Sequence, residues 1–405
     1  MISRAIIGLA SGSSVDGVDA ALMERTGLGL EMQVHPVLSL CQPYARELRD
    51  LVRKAASGAV EGKQLGLVHR LLGETFAAAA RQVADRASMS LQQIQCIGCS
   101  GHTIWHEPEG RFPTTFALGL PAVIAERTGL TTVSDFAHRD IAVGGQGAPL
   151  TALADYLLLR DSDEGRVLVH LGGLARIVYL PQACAIQDIR GFEAGPCNLL
   201  LDGLMRTLSG GREEFDQGGK YGVQGHCQEE LLERWLGHPY LHRLGTRNIP
   251  RHTLADEFIQ QALQTARDSP CSIHDLLCTA THFVACLIAR AIRKIVPENL
   301  DACRILLSGG GVRNGLLWRL LARQFDGLEV EKTDAHGIPA DGRKALGYAV
   351  LAALALDGVP ASLPEVTGAA GARLLGNLTP GSSTNWARCL DWMATQTAAL
   401  AYDAD

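Results

Sequence analysis

The stretch GLASGSSVDGVDAAL, residues 8–22, places small, hydroxylated and acidic residues between two apolar runs. Its tip holds Gly12, Ser13, Ser14, Val15, Asp16 and Gly17 and leads into Val18 and Asp19. Glycine lets backbone N–H groups approach an anion, serine hydroxyls add donors, and a carboxylate holds a metal ion. The same residues also suit a polar loop around an ordinary turn, and on this stretch alone both readings stand. A second tip follows at Gly172 and Gly173 in VHLGGLARI. A third glycine run, Gly309, Gly310 and Gly311 followed by Asn314 in LLSGGGVRN, separates an apolar strand from a helix. That is an arrangement that binds anions through unpaired N–H groups and the helix dipole. Neither the Walker A spacing nor G-x-G-x-x-G is matched, which weakens a P-loop or dinucleotide fold. Three such turns point to a nucleotide clamped between two related lobes.

One carboxylate stands apart. Glu193 in GFEAGPCN precedes Gly195-Pro196 at the start of a helix, where it suits an N-terminal cap. Cys197 beside it has a helix start to lower its pKa, but nothing supplies the partner acid and base of a thiol nucleophile. His102, His106 and His170 lack H-x-x-x-H spacing, and Cys96 and Cys99 have C-x-x-C spacing without a second pair. Neither set makes a zinc site, and core packing is the better reading of the cysteine pair.

The elements that position these residues alternate between strand and helix. Ile6, Ile7 and Leu9 read as a buried strand, with Val18, Ala20 and Leu22 as its antiparallel return. Leu65, Val68, Leu72, Phe76 and Val83 fall on one helical face. A short helix runs from Pro121 to a stop at Gly129, and TTVSDF is a strand. The run AVGGQGAPL reads as an inter-domain crossing or a ligand loop. Val167 to Leu180 repeat the opening hairpin, which suggests an internal duplication. At 405 residues two domains are expected, because single cores stop growing at about 250–300 residues. A net charge of −6 and 5% aromatic residues argue against a nucleic-acid partner. Eleven cysteines, an odd number, fit a reducing cytosol. No cationic leader or uncharged apolar run of membrane length is evident, so a cytoplasmic protein is expected.

The chain resembles the anhydro-N-acetylmuramic acid kinases, members of the superfamily of sugar kinases, actin and heat-shock chaperone ATPases. The resemblance spans residue 5 to about 380. It rests on IGLASGSSVDGVDAAL, GHTIWHEP, DFAHRDIAVGGQGAPL, GFEAGPCNLLLDG, LLSGGGVRN and LPEVTGAAGARLLGNLTP, all in the family's order. It implies an α/β protein of two duplicated actin-like ATPase lobes with an interlobe cleft. It further implies ATP with Mg²⁺, a small-molecule sugar substrate, no nucleic-acid or membrane partner, and a homodimer. The implied reaction opens 1,6-anhydro-N-acetylmuramic acid with water and phosphorylates the freed oxygen, giving N-acetylmuramic acid 6-phosphate.

On that resemblance, Gly12 through Asp19 form the first phosphate loop, with Asp16 on the metal, and Asp19 is as readily an organiser of the turn. Gly172 and Gly173 form the second loop, Gly309 to Gly311 with Asn314 the adenosine turn, and Glu193 the catalytic carboxylate. His102, Arg139, Asp140 and Lys344 are implied on the sugar side, with His106 as readily structural. The departures matter as well. The family's GFD-x-GPGN reads GFEAGPCN here, with Glu193 in place of Asp, and Lys344 stands where the family usually has Glu. Arg176 replaces an Asn, Ser100 and His102 replace His and Gln, and GTRNIPR replaces a Lys-Ser-Thr-Gly-Arg-Glu stretch. The expected domains are 1–145, 146–380 and an extra tail, 381–405. In that tail Trp386, Leu390, Met393 and Ala394 suggest an amphipathic helix docked on the body or on a second subunit.

Overall fold

The apolar runs read from the sequence become strands in the computed structural model, which describes residues 3–243, 251–296 and 300–402. The first part of the chain supplies β1 (Arg4–Ser11), β2 (Gly17–Thr26), β3 (Gln33–Pro43), β4 (Ile94–Cys99), β5 (His102–Glu107), β6 (Thr114–Leu118) and β7 (Thr131–Ser134). The middle supplies β8 (Gly165–Leu171), β9 (Leu174–Leu180), β10 (Arg190–Pro196), β11 (Cys303–Ser308) and β12 (Val330–Lys332), and β13 (Asn377–Thr379) comes near the end. The chain forms two units, Met1–Leu159 with Gly337–Asp405, and Arg160–His336.

The first unit's sheet has the order β13-β7-β4-β1-β2-β3, and the second's has β10-β9-β8-β11-β12. In the first, β1 pairs antiparallel with β2, β2 with β3, and the line continues in parallel through β4 to β7. In the second, β8 pairs antiparallel with β9, β9 with β10, and the line continues in parallel through β11 to β12. The two five-strand cores share one topology, which bears out the expected duplication. The helical face read from Leu65 to Val83 lies on the Gly62–Arg86 helix, where Val68, Leu72, Phe76 and Val83 are fully buried and Leu65 packs at the rim. The Pro121–Thr128 helix stops at Gly129 in the left-handed conformation, φ 71°, as its sequence requires.

The expected boundaries at 145 and 380 are wrong, and the reason is a close helix–sheet contact. The Arg343–Leu356 helix lies directly on β1 and β4. A Cβ at Gly8 would stand 1.8 Å from the Ala345 carbonyl oxygen, and one at Gly98 would stand 2.0 Å from that of Tyr348. Only glycine admits the helix there, so the chain end belongs to the first unit's core. Arg343 donates from Nε to Asp155 at 2.9 Å, with both side chains buried, and this ties the Ala152–Leu159 helix to the same unit. The AVGGQGAPL run is therefore not a crossing: the chain leaves the first unit after Leu159 and returns at Gly337.

The tail forms the Ser383–Tyr402 helix and docks on the first unit, but through a different face from the expected one. Leu390 is exposed, and so is Ala394. Asn385 instead accepts from Thr131 N at 2.7 Å and donates to Gln95 O at 2.9 Å. Arg388 donates to Ile94 O at 2.9 Å, Cys389 is fully buried, and Trp392 Nε1 donates to Asp357 at 2.9 Å. Polar groups left open by the neighbouring strands choose the docking face, not an apolar stripe. The Ile273–Ile295 helix of the second unit is long and apolar enough to cross a membrane, a segment the sequence reading did not single out. It is mostly buried and serves as a core helix. The GTRNIPR departure falls at 245–251, and residues 245–250 lie outside the described residues.

The helix–sheet contact gives a stability prediction. Gly8→Ala forces the Arg343–Leu356 helix off β1 and should cost about 3 kcal/mol, the upper end for overpacking. Urea unfolding followed by circular dichroism would show a lowered midpoint.

Candidate active site

The first hairpin tip is built by packing before it is available for chemistry. Val15 holds φ 54°, a strained value for a β-branched residue, yet it is 5% exposed and packed in the core. Val15 N donates to Gly12 O at 3.2 Å, and Tyr44 N donates to Asp16 O at 3.0 Å, which sets the turn. Ser14 Oγ donates to Asp16 Oδ1 at 2.7 Å. Gly17 answers to its neighbours, since a Cβ there would meet Gln42 O at 2.3 Å, and Val18 is fully buried.

Beneath the tip, Ser11 gathers three side chains that the sequence keeps far apart. Its Oγ donates to Gly17 O at 3.2 Å and accepts from Tyr44 OH at 2.8 Å. His102 Nδ1 lies 2.8 Å from the same oxygen. A hydroxyl has one hydrogen, so with it on the Gly17 carbonyl, Nδ1 carries the imidazole proton. Burial pushes the Tyr44 phenol up, so it remains a donor. His102 is 2% exposed and braces the tip from below, which corrects its placing as a sugar contact. Lys344, half-buried, donates from Nζ to the Ser11 carbonyl at 2.8 Å, beside the first hairpin tip. Burial and then Asp16 push the Asp19 carboxyl up to about 7, and Lys344 opposes them. Ser11 and Tyr44 were missed by the sequence reading, because only the meeting of β1, β3 and β5 makes them neighbours.

Asp140 also proves to be a brace. It is fully buried, accepts from Gly147 N at 2.8 Å and from Thr367 Oγ1 at 2.7 Å, and so shapes the glycine loop after it. A Cβ at Gly145 would stand 2.2 Å from its Oδ2. Arg139, on the short His138–Ile141 helix, is exposed.

In the second unit the predicted glycines meet at the end of β8. The amides of Cys197 and Leu199 donate to Gly173 O at 2.9 and 3.1 Å, and that of Asn198 donates to Gly172 O at 3.0 Å. Asn198 Nδ2 donates to Leu171 O at 3.1 Å. Gly309, at φ 84°, approaches the same carbonyl so closely that a Cβ would stand 2.8 Å from it, and one at Gly311 would stand 2.6 Å from Leu171 Cβ. Gly172–Gly173, the Asn198–Leu208 helix start and Gly309–Gly311 thus form one assembly, with Asn198 as the joint that sequence reasoning missed. Asn314 caps the Gly315–Gln324 helix, accepting from Leu316 N and Leu317 N at 3.1 Å, so its side chain serves the helix.

Glu193 lies within β10, four residues before Cys197, which is itself the N-cap of the Asn198–Leu208 helix. The cap reading of Glu193 is thereby removed. Its side chain is 1% exposed, and Arg176 Nε, directly opposite on β9, donates to Oε1 at 2.9 Å. The ladder shifts register between Glu193 and Gly195, a bulge of the sort that re-aims a side chain beside an active site. Cys197 is fully buried and burial pushes its thiol up, opposite to the lowering that a helix start suggested. Cys96 and Cys99 are buried in β4, with Cys99 pushed up to about 12. His106 Nδ1 lies 3.0 Å from Thr115 Oγ1 within the β5–β6 ribbon. Among the described residues no group of three His, Cys, Asp or Glu could hold a metal by itself.

Two sheets of one topology, each opening on a hairpin with a glycine tip, define a duplicated actin-like ATPase fold, that of sugar kinases, actin and chaperone ATPases. The family model for anhydro-N-acetylmuramic acid kinase matches residues 4–381, and the chain belongs to that family. Similar proteins of that description include one from Gloeobacter violaceus, 37% identical over 377 residues, spanning 92% of this chain and 98% of the relative. Another, from Xanthomonas campestris pv. campestris, is 36% identical over 376 residues, spanning 92% and 97%. One from Caldanaerobacter subterraneus subsp. tengcongensis is 30% identical over 385 residues, spanning 93% and 97%.

Asp19 supplies a pH test. Its folded value, about 7, lies above the ordinary carboxyl value of about 4. Between those values the folded chain holds a proton that the unfolded chain has released, so this group makes stability fall as pH rises from about 4 to 7. Asp19→Asn should flatten that fall and leave the variant more stable than wild type at pH 8. Thermal unfolding across this range, without nucleotide or Mg²⁺, is the measurement.

Proposed function

We propose that the protein is an ATP-dependent kinase that hydrolytically opens and phosphorylates 1,6-anhydro-N-acetylmuramic acid. Sugar, ATP and water give N-acetylmuramic acid 6-phosphate and ADP. The observation that carries this reading is the family match over residues 4–381, which takes in both glycine tips and the Glu193 strand.

In this reading the first unit handles the phosphates. Gly12, Ser13 and Ser14 would line the phosphates, and Asp16 would hold Mg²⁺. The residues fit such an ion: magnesium takes one or two carboxylates plus substrate phosphates rather than a protein cage. The burial of Asp19 beside Asp16 leaves a site short of positive charge. When bound, Mg²⁺ neutralises charge on the transferring phosphoryl group. Tyr44, Ser11 and His102 hold the tip rigid from below. The second unit supplies Gly172 and Gly173 as a second phosphate loop and Gly309 to Gly311 as the adenosine turn. Glu193 takes the proton of the attacking water as the anhydro ring opens and the freed oxygen accepts the phosphoryl group. Of the four residues expected on the sugar side, Arg139 is the exposed one and keeps that role. A cytoplasmic homodimer acting on a small sugar, with no nucleic-acid or membrane partner, belongs to the same reading.

One observation favours a second reading. Arg176 engages Oε1 of the candidate base, an oxygen that accepts from the guanidinium rather than from water. The Arg176 contact thus suits a family member of altered sugar specificity, or one that binds nucleotide with little transfer.

A coupled ADP-release assay with 1,6-anhydro-N-acetylmuramic acid and a panel of related sugars separates these readings. Turnover on the first sugar is expected. Glu193→Gln should lower it at least about a hundredfold while leaving ATP binding intact, the usual scale for one general base. Equal turnover in Glu193→Gln and wild type would remove Glu193 from the mechanism. ATP with Mg²⁺, at a hundredfold excess over Kd, should stabilise the protein by about 2.7 kcal/mol. Asp16→Ala should abolish the Mg²⁺-dependent part of that gain, and a melting temperature indifferent to ATP would overturn the kinase reading.

A further inference from the structure

The Arg176–Glu193 contact does more than fill a gap in the ladder. Resting on the reading of Glu193 as the base, we propose that Arg176 is the positioning residue of this reaction, holding the Glu193 carboxylate where it meets the water. Three observations carry this inference. The two residues are direct partners across β9 and β10, so their side chains leave the same face of the sheet. The Nε–H of Arg176 reaches Oε1 at 2.9 Å, and a guanidinium N–H has a fixed direction that a flexible ammonium lacks. The Glu193 side chain is 1% exposed and that of Arg176 22%, so the carboxylate is out of water while its cation reaches solvent. A carboxylate removed from water needs a paired opposite charge.

The backbone alone would leave the carboxylate loosely placed. The ladder shifts register immediately after Glu193, so the strand's pairing does not fix its far side. Glutamate has three side-chain torsions, and the bond to Arg176 restricts them. Catalysis is sensitive to this, because a displacement of about 1 Å can lower a rate roughly a hundredfold. Arg176 and Glu193 therefore act as one unit. Shortening the acid to aspartate draws it away from the guanidinium.

The test is steady-state kinetics on the full chain with ATP, Mg²⁺ and 1,6-anhydro-N-acetylmuramic acid. Four variants are compared: Arg176→Asn, Arg176→Lys, Glu193→Asp and the double variant Arg176→Asn/Glu193→Asp. Arg176→Asn should lower kcat by about ten- to a hundredfold with KM for ATP within about twofold, because the tether and not the nucleotide site is lost. Arg176→Lys, which keeps the charge but not the directed N–H, should recover part of that loss. The double variant should be no slower than Glu193→Asp alone, since the tether is already lost in the single variant. A kcat for Arg176→Asn within twofold of wild type would overturn the proposal, and so would losses that multiply in the double variant. Should Arg176→Asn fail to fold, a wild-type kcat in Arg176→Lys overturns it equally. Wild-type protein without sugar-dependent ADP release would sink the kinase reading and this role with it, an outcome distinct from the others.

Discussion

The contact of the Arg343–Leu356 helix with β1 and β4 is the constraint on which the first unit depends. Gly8 and Gly98 admit the helix backbone to a distance no side chain would allow. The helix then buries Ala345, Ala349 and Ala352 against the sheet, an alanine-rich face that lets the two backbones stay close. That approach carries Lys344 to the end of β1, where it meets the Ser11 carbonyl, and Arg343 to Asp155. A residue late in the chain thus becomes part of the tip formed by residues 12–16. Without the contact neither the charge beside Asp19 nor the closure of the first unit by its own chain end would exist.

The two hairpin tips share a topology and differ in how they are made rigid. The first rests on side chains, with Ser11 Oγ bonded to Tyr44 and His102 at its base. The second rests on backbone, its carbonyls taken by the amides that open the Asn198–Leu208 helix, with Gly309 and Gly311 pressed against Leu171. The duplicated scaffold thus holds the same turn in two ways, each set by what lies under the hairpin.

The sequence departures from the family acquire a physical grouping in the structure. Glu193 and Arg176 are a single cross-strand interaction, so the acid and the cation are matched to one another. Lys344 and His102, which the sequence suggests as neighbours of the sugar, instead sit under the first tip and meet at Ser11. What reads as scattered change on the sugar side is therefore two local rearrangements. One pairs Glu193 with Arg176, and the other gathers Lys344 and His102 at Ser11.

Much of the fold was legible in the sequence because it depends on local pattern. The apolar alternation around Ile6 and Val18, the stop at Gly129, the helical face of Val68 to Val83 and the repeated hairpin at Gly172 each express a period or a turn that short segments dictate. The motifs around Gly12, Glu193 and Gly309 were legible as well, together with the family they imply. The unit boundaries were not, because they turn on the close passage of the Ala345 backbone over Gly8, where a Cβ would stand 1.8 Å from its carbonyl oxygen, and no local pattern encodes that. The docking face of the last helix was missed for a related reason: Asn385 and Arg388 answer to open polar groups on strands nearly three hundred residues earlier. Residue types, periods and motif order are properties of the chain itself, so the sequence determined the elements, the duplication and the family. Which side chains share a hydrogen bond is decided by burial and register between distant segments. Only the tertiary structure could show which partners His102, Asp140 and Asn314 hold within the chain and make Arg176 the partner of Glu193.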